Sequence, residues 1–281
     1  MPLVAPPWLQ FGLIGSGIGH SPSPAMQRAA LRAREIQGDY TLLDVTPAEL
    51  PGLLRQLRGR ELAGCNVTVP YKTALATACD RLEGDASICQ AVNTLLMRDE
   101  QLIGENTDAR GFELALGYQR LRPEPGGSAL VLGAGGAATA CVLALCRMRV
   151  DEVVVVARRL EQAEELCLRV SPEAARPLDW HDAAGLARAA REAGTFVNAA
   201  SVGLAAAPIS LEALPSDCVV VDLRYRPRPV DLVAAARDRG LRATDGAEML
   251  LFQGMLSFQH WTGVDPPWHA ARAALEEALA A

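Results

Sequence analysis

The sequence lacks the concentrated positive charge that marks proteins which bind nucleic acids. Its formal net charge is −6, from 27 basic and 33 acidic residues. The basic residues are scattered, and the nearest approach to a cluster is Arg224, Arg226 and Arg228. Binding to a phosphate backbone needs clustered lysine and arginine. We therefore expect no nucleic acid among the partners.

We also expect no secretory leader and no membrane span, and the cysteine spacings are not those typical of metal sites. The segment MPLVAPPWLQ has no basic residue before its apolar part, which argues against a signal peptide. The apolar run 129–146 contains a glycine turn and much alanine, so we interpret it as strand, turn and helix, not as a membrane span. The seven cysteines form no Cys-x-x-Cys pair. They predict buried free thiols in a reducing cytoplasm, and no metal.

Short apolar runs alternate with longer helical segments along the chain. FGLIG, YTLLDV and CNVTVP are predicted strands, and AVNTLLM and QLIGENTD a hairpin-like pair. Further on, SALVLG, EVVVVA, TFVNAA and CVVVDL are apolar enough for strands that are buried on both faces. This alternation is typical of α/β proteins with mostly parallel sheets.

Helical segments and chain length predict how the domains are arranged. A helix is predicted after Ser23, with Ser23 as its N-cap and Pro24 at its first position. Others are predicted over 47–58, over 108–118 and after Asp245. A chain of 281 residues exceeds one typical domain. We expect an N-terminal α/β domain, residues 1–108, completed by C-terminal helices, residues 245–281, and a Rossmann-like dinucleotide-binding domain, residues 109–244.

A glycine-rich turn separates one of the apolar strands from the helix that follows it. Its residues are Gly133, Ala134, Gly135, Gly136 and Ala137. The spacing is a variant of the dinucleotide fingerprint, in which glycines let the backbone approach a pyrophosphate and a helix N-terminus supplies N–H donors. A packing turn that binds no ligand is the alternative interpretation.

The end of the next strand indicates which dinucleotide is bound. Ala157 stands where NAD-specific sites carry a carboxylate, and Arg158 and Arg159 follow it. A guanidinium can hold a 2′-phosphate through paired charge-assisted hydrogen bonds. We therefore expect NADP as the cofactor. Arginines that are merely solvated in a loop are the alternative, and Glu161 lies nearby in the sequence.

Polar residues also stand at positions where core packing does not require them. They are Asn66, Thr68 and Lys72 in NVTVPYK, Asn93 in AVNT, and Asn106 and Asp108 in GENTD. Strand alternation predicts that Asn66 and Thr68 lie on one face, opposite Val67 and Val69. Each has a purely structural alternative as a strand former, a turn residue, a helix cap or an exposed lysine.

Taken in order, eight motifs of the chain resemble those of the shikimate dehydrogenase family. They are IGHSPSP, NVTVPYK, AVNT, GENTD, GAGGA, NAASVG, DLRYRP and GAEMLLFQ…FQHWTG. They run from Ile18 to Gly263, so the resemblance covers nearly the whole chain. It implies an NADP-dependent oxidoreductase that reversibly reduces 3-dehydroshikimate to shikimate, in the biosynthesis of chorismate and the aromatic amino acids.

The resemblance also implies roles for individual residues. Lys72 and Asp108 are the implied catalytic pair. The implied substrate-binding residues are Ser21 and Ser23 for the carboxylate, aided by Tyr225, and Thr68, Asn93, Asp108 and Gln253 for the ring hydroxyls. The implied NADP-binding residues are Gly133, Ala134, Gly135, Gly136, Ala137, Ala157, Arg158, Arg159, Leu223 and Gly246.

The chain departs from the family pattern at three places. Gly17 and Gln27 replace a proline and a histidine, the strand end reads ARR in place of NRT, and NAA replaces NAT. An NAD-preferring quinate/shikimate dehydrogenase is therefore one alternative. A non-catalytic metabolite-binding paralogue is another, although it predicts loss of Lys72 and Asp108, which are present. We expect a monomer or a homodimer.

Overall fold

The computed structural model describes residues 8–281, which form two compact units. The first unit contains the described residues up to Thr107 together with Gln253–Ala281, and the second is Asp108–Phe252. Residues 1–7, on which part of the signal-peptide argument rests, lie outside the described residues. The domain limits expected at residues 108 and 245 stay a prediction.

Strands and helices alternate along most of the chain. The strands within residues 8–281 are β1 (Leu9–Gly15), β2 (Gly38–Asp44), β3 (Gly64–Val67), β4 (Arg81–Leu82), β5 (Thr94–Arg98), β6 (Gln101–Glu105), β7 (Ser128–Leu132), β8 (Glu152–Ala157), β9 (Ala175–Asp179), β10 (Thr195–Asn198), β11 (Val219–Asp222) and β12 (Arg242–Thr244). The α-helices are α1 (Ser23–Ala33), α2 (Leu50–Arg58), α3 (Lys72–Ala76), α4 (Asp85–Cys89), α5 (Asp108–Tyr118), α6 (Gly136–Arg147), α7 (Leu160–Val170), α8 (Ala183–Glu192), α9 (Asp231–Asp238), α10 (Ala247–Thr262) and α11 (Trp268–Ala280). Short 3₁₀ turns occupy Pro47–Glu49, Leu204–Ala206 and Leu211–Ala213.

The first unit is built on a mixed sheet with strand order β2-β1-β3-β5-β6-β4. Strand β1 pairs in parallel with β2 and with β3, whereas β5 runs antiparallel to β3 and β6. The β5–β6 connection consists of Asp99 and Glu100, both with positive φ. Two left-handed residues match the twist of a tight hairpin. The predicted hairpin is confirmed.

Helix α10 packs against this sheet through a tryptophan near its C-terminal end. The Trp261 ring stacks on Phe11 with centroids 5.1 Å apart, and its Nε1 donates to the Leu95 carbonyl at 3.1 Å. Gly64 lies directly beneath the indole, where a Cβ atom would overlap the ring. Trp261, Ser257 and Gln253 are spaced by four residues and therefore share one face of the helix. The tryptophan thus fixes which face α10 turns to the sheet.

The start of α1 differs from the sequence-based expectation by one residue. The helix begins at Ser23, its N-cap is Pro22, and no side chain caps it. Pro24 accordingly occupies the second helical position, and the prediction of Ser23 as N-cap is wrong. The reason is local, because the Ser23 N–H is directed to the Ser21 hydroxyl at 3.3 Å. That contact draws Ser23 into the first turn.

Strand β3 is shorter than the predicted CNVTVP strand. It ends at Val67, so the strict alternation expected for Thr68 and Val69 does not extend that far. Thr68 is half-buried, and the Val69 side chain is 72 % exposed. The Val69–Pro70 peptide bond is cis and begins two residues beyond the end of the strand. Proline has no N–H to donate to a ladder, so the predicted strand could not have continued through Pro70.

The second unit contains an all-parallel sheet with strand order β12-β11-β10-β7-β8-β9. Its central strands read as continuous apolar runs because helices cover both faces. Val153, Val154, Val155 and Val156 of β8 are each at most 3 % exposed. The two-sheet α/β architecture with a Rossmann-like parallel sheet confirms the predicted fold class. Within residues 8–281, none of the helices has the length and apolar character needed to cross a membrane.

Candidate active site

The serine pair of the first motif lies at the start of α1. The Ser21 hydroxyl donates to the Ser23 Oγ at 3.1 Å. Ser23 is 5 % exposed, and Ser21 is half-buried. Two hydroxyls at a helix N-terminus can donate to an anion, and the helix dipole favours the negative charge there. The two predicted carboxylate-binding residues are therefore neighbours, and their role stays a prediction.

Asn93 is the centre of a buried hydrogen-bond network in the first unit. Its Nδ2 donates to Thr107 Oγ1 at 2.8 Å and to Gln253 Oε1 at 3.1 Å. Its Oδ1 accepts from the Thr107 backbone N–H at 2.9 Å and from Thr94 Oγ1 at 2.8 Å. Both ends of the amide are thereby fixed. Asn93 in turn orients Gln253, so two of the predicted substrate-binding residues are in direct contact.

Ser257 joins α10 to the same network from inside the core. It has no exposed surface, and its hydroxyl lies 2.7 Å from Thr94 Oγ1. The hydroxyl accepts from Asn66 Nδ2 at 2.8 Å and also lies 3.0 Å from the Gln253 carbonyl one turn earlier. Sequence reasoning did not select Ser257, Thr94 or Thr107. Serine and threonine are common in any fold, and only the contacts distinguish these three.

Asn66 connects this network to the opposite edge of the sheet. Its Oδ1 accepts from the Tyr40 hydroxyl at 2.9 Å, and its Nδ2 also donates to the Asn93 carbonyl at 2.9 Å. Burial raises the pKa of Tyr40 well above its usual value, so the phenol stays a neutral donor. Asn66 therefore supports the network as a buried, fully used amide.

The predicted catalytic pair comes from two helix starts. Lys72 is the first residue of α3 and is half-buried, and its carbonyl accepts from the Val92 N–H at 2.9 Å. Asp108 is the first residue of α5 and is 3 % exposed. Thr68 lies between β3 and α3, where its N–H donates to the Ile14 carbonyl. Lys72 and Thr68 belong to the first unit and Asp108 to the second.

The carboxylate of Glu105 flanks the network at the end of β6. Glu105 Oε2 lies 3.0 Å from His260 Nδ1, and Glu105 Oε1 lies 3.3 Å from Arg98 Nη2. Burial raises the pKa of the Glu105 carboxyl, but the hydrogen bonds from His260 and Arg98 oppose it, and the resulting pKa is lowered. Glu105 is therefore held as a carboxylate that anchors α10 to the hairpin.

The glycine turn of the second unit follows β7 and opens α6. Gly133 has φ +115°, a region that side chains rarely adopt, and its N–H donates to the Val156 carbonyl at 2.8 Å. A Cβ at Gly133 would lie 3.2 Å from the Ala199 backbone, whereas one at Gly135 would meet nothing within 4 Å. The turn thus has no room for a side chain at Gly133, whereas the position of a Cβ at Gly135 is open. An open backbone surface at a helix N-terminus fits a pyrophosphate.

The end of β8 presents the arginines that sequence reasoning selected. Ala157 is buried, while Arg158 and Arg159 are exposed. The Arg158 guanidinium carbon lies 4.8 Å from the centre of the Trp180 ring. Arg159 precedes the first turn of α7. Sequence reasoning did not select Trp180, which follows a strand that it had also not identified.

A second buried polar cluster lies at the ends of β10 and β11. Asn198 Nδ2 donates to the Val202 carbonyl at 2.9 Å and to Asp222 Oδ2 at 3.1 Å. Asp222 has no exposed surface and pairs with Arg224 Nη2 at 2.6 Å. Arg224 also pairs with Asp231 at α9. These bonds fix the segment that carries the predicted residues Leu223 and Tyr225.

Gly246 lies against this segment. Its N–H donates to the Arg224 carbonyl at 3.1 Å, and a Cβ there would overlap the Leu223 backbone. The two predicted nicotinamide-end residues, Leu223 and Gly246, are therefore brought into contact. Their roles toward a cofactor stay a prediction.

Comparison with known proteins accounts for these features together. Three family models match the chain: the shikimate dehydrogenase substrate-binding domain over residues 13–95, shikimate/quinate 5-dehydrogenase over 119–232, and the shikimate 5′-dehydrogenase C-terminal domain over 246–276. The shikimate dehydrogenase (NADP(+)) of Rubrobacter xylanophilus is 41 % identical over 269 residues, which cover 94 % of each chain. The chain belongs to the shikimate dehydrogenase family.

Two solved structures of this family have a similar fold. Shikimate 5-dehydrogenase from Thermus thermophilus, in complex with NADP(H) and shikimate, has a TM-score of 0.85 and 37 % identity, covering 96 % of this chain and all of that one. Quinate dehydrogenase from Corynebacterium glutamicum, in complex with NAD, has a TM-score of 0.86 at 28 % identity, covering 96 % and 99 %. Shikimate dehydrogenases and quinate dehydrogenases thus share this architecture.

Gln27, one of the departures from the shikimate dehydrogenase pattern, has a structural role. The side chain is 1 % exposed, and its Nε2 donates to the Gly254 carbonyl at 2.8 Å. Gly254 directly follows Gln253 and packs against Met26 of α1. The glutamine therefore ties the helix after the serine pair to the helix that carries Gln253.

The cysteines of this shikimate dehydrogenase family member lie mostly in the cores of the units. Cys65, Cys89, Cys141, Cys167 and Cys218 are buried. Burial raises the pKa of both Cys65 and Cys218 to about 12. A thiol with so high a pKa is a poor nucleophile and metal ligand. Within residues 8–281, no three His, Cys, Asp or Glu side chains form a group able to hold a metal ion.

Proposed function

We propose that this protein is an NADP-dependent shikimate dehydrogenase that reversibly reduces 3-dehydroshikimate to shikimate. One observation carries the proposal. Asn93, from the AVNT motif, donates to Gln253, which lies 160 residues further along the chain in another motif of the resemblance. Residues expected to bind one substrate are thus joined in one buried network. The relatives named shikimate dehydrogenase (NADP(+)) support the cofactor.

Reduction of a ketone needs a hydride and a proton. Bound NADPH supplies the hydride. We assign the proton to Lys72, whose ammonium can donate to the carbonyl oxygen and stabilise the charge that develops on it. Asp108 is assigned as its partner in the catalytic pair.

The composition of the chain supports Lys72 in this role. The sequence contains 26 arginines and a single lysine, which is Lys72. A guanidinium remains protonated at any working pH, whereas an amine can both release and accept a proton. A chain that otherwise uses arginine for positive charge has its one amine side chain at the proposed proton-transfer position.

The substrate side of the proposal uses residues of the first unit together with Asp108 and Tyr225. Ser21 and Ser23 bind the carboxylate through their hydroxyls, with Tyr225 assisting. The ring hydroxyls bind to Thr68, Asn93, Asp108 and Gln253. Asn93 Nδ2 donates to Gln253 Oε1 at 3.1 Å, so two of these four residues are already held together.

The cofactor side of the proposal uses the second unit. The Gly133–Ala137 turn binds the pyrophosphate, because the backbone above Gly135 is open and α6 begins there. Arg158 and Arg159 bind the 2′-phosphate, and Leu223 and Gly246 line the nicotinamide end. We accordingly propose residues 1–108 with 245–281 as the substrate domain and 109–244 as the nucleotide domain. We further propose a cytoplasmic monomer or homodimer that binds no nucleic acid.

The test is nicotinamide reduction followed by absorbance, with each combination of shikimate or quinate and NADP or NAD. We expect turnover of shikimate with NADP, and much slower reaction of the other three combinations. Faster turnover of quinate with NAD would instead favour a quinate dehydrogenase activity, for which the Corynebacterium glutamicum structure is named. Binding of shikimate without any turnover would contradict the enzymatic proposal.

A further inference from the structure

Trp180 lies beside the arginines at the end of β8, although it comes from a separate strand. It follows β9, and its N–H donates to the Ala157 carbonyl at 3.0 Å. Ala157 is paired in register with Asp179. The backbone therefore holds Trp180, the residue after β9, against Ala157, the residue before Arg158. This bond sets the distance between the indole and the Arg158 side chain.

The indole is itself held by the core of the second unit. Trp180 is half-buried and packs against the apolar cluster that includes Val156 and Leu178. A large aromatic ring with one edge in a packed core has few alternative rotamers. The outer part of the ring is then a rigid surface for whatever lies over it.

Arg158 is the group that lies over it. Its guanidinium carbon is 4.8 Å from the ring centre, within the range of a cation–π interaction. The side chain is exposed, and among residues 8–281 it forms no ion pair. A cation–π contact uses none of the guanidinium N–H groups as hydrogen-bond donors to a protein acceptor, so these groups remain for an anion.

The nearby carboxylate does not occupy those donors. Asp179 Oδ1 accepts from the His181 N–H at 2.6 Å, so this side chain is bound within its own loop. Arg224, by contrast, is paired with Asp222 and Asp231. Arg158 is thus oriented without being neutralised, which is the arrangement required to bind an external anion.

We propose that Trp180 is a specificity-determining positioning residue that holds the Arg158 guanidinium for the 2′-phosphate of the cofactor. The inference rests on the proposed NADP-dependent function and adds a residue to it. Trp180 contributes to discrimination between NADP and NAD by limiting the conformations that Arg158 samples before binding. It does not itself contact the reacting atoms.

Calorimetric titration of the full chain with 2′,5′-ADP and with 5′-AMP tests the inference without requiring turnover. In the wild type, 2′,5′-ADP should bind more tightly. Trp180→Leu should weaken binding of 2′,5′-ADP by about three- to tenfold, the range of a cation–π contact, and leave 5′-AMP unchanged. Trp180→Phe, which keeps a ring face, should recover most of the loss. Trp8→Leu removes an exposed tryptophan elsewhere and serves as the matched control.

A double-mutant cycle with Arg158→Ala separates positioning from general packing. In that background Trp180→Leu should have no further effect on 2′,5′-ADP. In kinetics, the change should fall on the KM for NADP and not on kcat. If Trp180→Leu is too unstable to titrate, Trp180→Met, whose longer and more flexible side chain can adapt to the space left by the indole without offering a π face, carries the same expectation.

The outcomes distinguish this inference from the proposed function. A wild type that prefers 2′,5′-ADP, with the preference unchanged in Trp180→Leu, overturns the role of Trp180 alone. An equal loss of 2′,5′-ADP and 5′-AMP binding also overturns it, since that pattern indicates a packing defect. A wild type without any preference overturns the 2′-phosphate assignment and, with it, the inference. Shikimate turnover tests the proposed activity independently of all three.

Discussion

The two units provide their candidate binding surfaces in opposite ways. In the first unit the surface consists of side chains that hold one another, as Asn93 does with Gln253 and with Thr107. In the second unit it consists of backbone, where Gly133 and Gly135 leave room by having no side chain. The first arrangement needs every polar atom to find a partner. The second needs free space beside the backbone, where a side chain would otherwise lie.

This difference predicts how each unit responds to substitution. Removing one member of a buried network leaves its former partners unsatisfied, so the damage is spread over several residues. Adding a methyl group to a glycine turn acts at one point, through φ and local space. Substitutions that are matched in size therefore separate these two responses.

The largest expected effect is that of Lys72→Ala in the first unit. We expect shikimate turnover to fall by about 10²- to 10⁴-fold, the usual contribution of a general acid–base group. Binding of NADP should be unchanged, since its proposed contacts lie in the second unit. Steady-state kinetics together with calorimetric titration of NADP measures both quantities.

Thr73→Ala, an exposed neighbour on the same short helix, is the control and should turn over normally. Turnover of Lys72→Ala within about tenfold of wild type, under ~1.4 kcal/mol of barrier, would contradict the assigned role. Because Lys72 is the only lysine, reductive methylation modifies one side-chain amine. Reductive methylation of Lys72 should lower the activity, and bound shikimate should protect against that loss. This check needs no mutation.

The next effect is expected at the glycine turn, where two equal substitutions should differ. Gly133→Ala places a side chain at φ +115° and 3.2 Å from the Ala199 backbone. We expect a loss of about 1–3 kcal/mol in the free energy of unfolding. Gly135→Ala has φ −86° and open space, so stability should be preserved while NADP binds more weakly.

Urea unfolding and NADP titration of both variants measure the contrast. If Gly135→Ala binds NADP as the wild type does, the backbone above Gly135 is not the pyrophosphate surface. If Gly133→Ala is as stable as the wild type, the close approach to Ala199 is not a constraint. Either result would weaken the comparison between a surface made of side chains and one made of backbone.

A smaller effect is expected from removing one hydroxyl of the network in the first unit. Ser257→Ala deprives Asn66 and Thr94 of a buried partner, although each keeps a second one. We expect a loss of about 1–2 kcal/mol in stability. The KM for shikimate should rise, because Gln253 and Asn93 lose support, while the KM for NADP should not.

Gln259→Ala, on the exposed side of the same helix, should change stability by no more than about 0.5 kcal/mol. An equal rise in both KM values for Ser257→Ala would show that the effect is not confined to the substrate-binding residues of the first unit. That result would remove the predicted difference in how the two units respond to substitution.

Most of the fold was predictable from the sequence, because its strands are strongly patterned. The four valines of β8 and the glycine turn before α6 specify a buried parallel strand and a nucleotide-type turn by local pattern alone. Strands β4, β9 and β12 were not identified. β9 is an edge strand that contains Arg176 and Pro177, and such composition hides a strand because edge positions tolerate it.

The residues of the candidate site likewise fall into those that the sequence indicated and those that it did not. Residues within recognisable motifs, such as Asn93 and Lys72, were selected from sequence. Ser257 and Trp180 were not, since a serine in a helix and a tryptophan in a loop have no local signal. Their importance depends on what the tertiary fold brings near them. The start of α1 was misplaced by one residue for a related reason, because the Ser21 hydroxyl accepts the N–H of Ser23, a contact that the local N-cap rule does not consider.

The smallest expected effect concerns an exposed ion pair, which belongs to neither kind of surface. Arg58 holds Asp80 by two contacts of 2.6 and 2.9 Å, and the Leu102 N–H adds a third at 2.8 Å. The hydrogen bond from Arg58 chiefly lowers the pKa of Asp80, from 3.8 to about 2.

A carboxyl whose pKa is lowered by folding stabilises the protein above its unfolded pKa. That stability is lost as pH falls from 3.8 toward about 2. The difference in unfolding free energy between wild type and Asp80→Asn should therefore be constant at neutral pH and shrink across that acid range, as followed by urea unfolding. Arg58→Gln removes the largest cause but keeps the hydrogen bond from the Leu102 N–H, so it should remove most, but not all, of the acid-range change that Asp80→Asn removes. A difference in unfolding free energy that stays constant down to about pH 2 would show that solvent screens this pair. The contrast between the two units would then rest only on the buried network and the glycine turn.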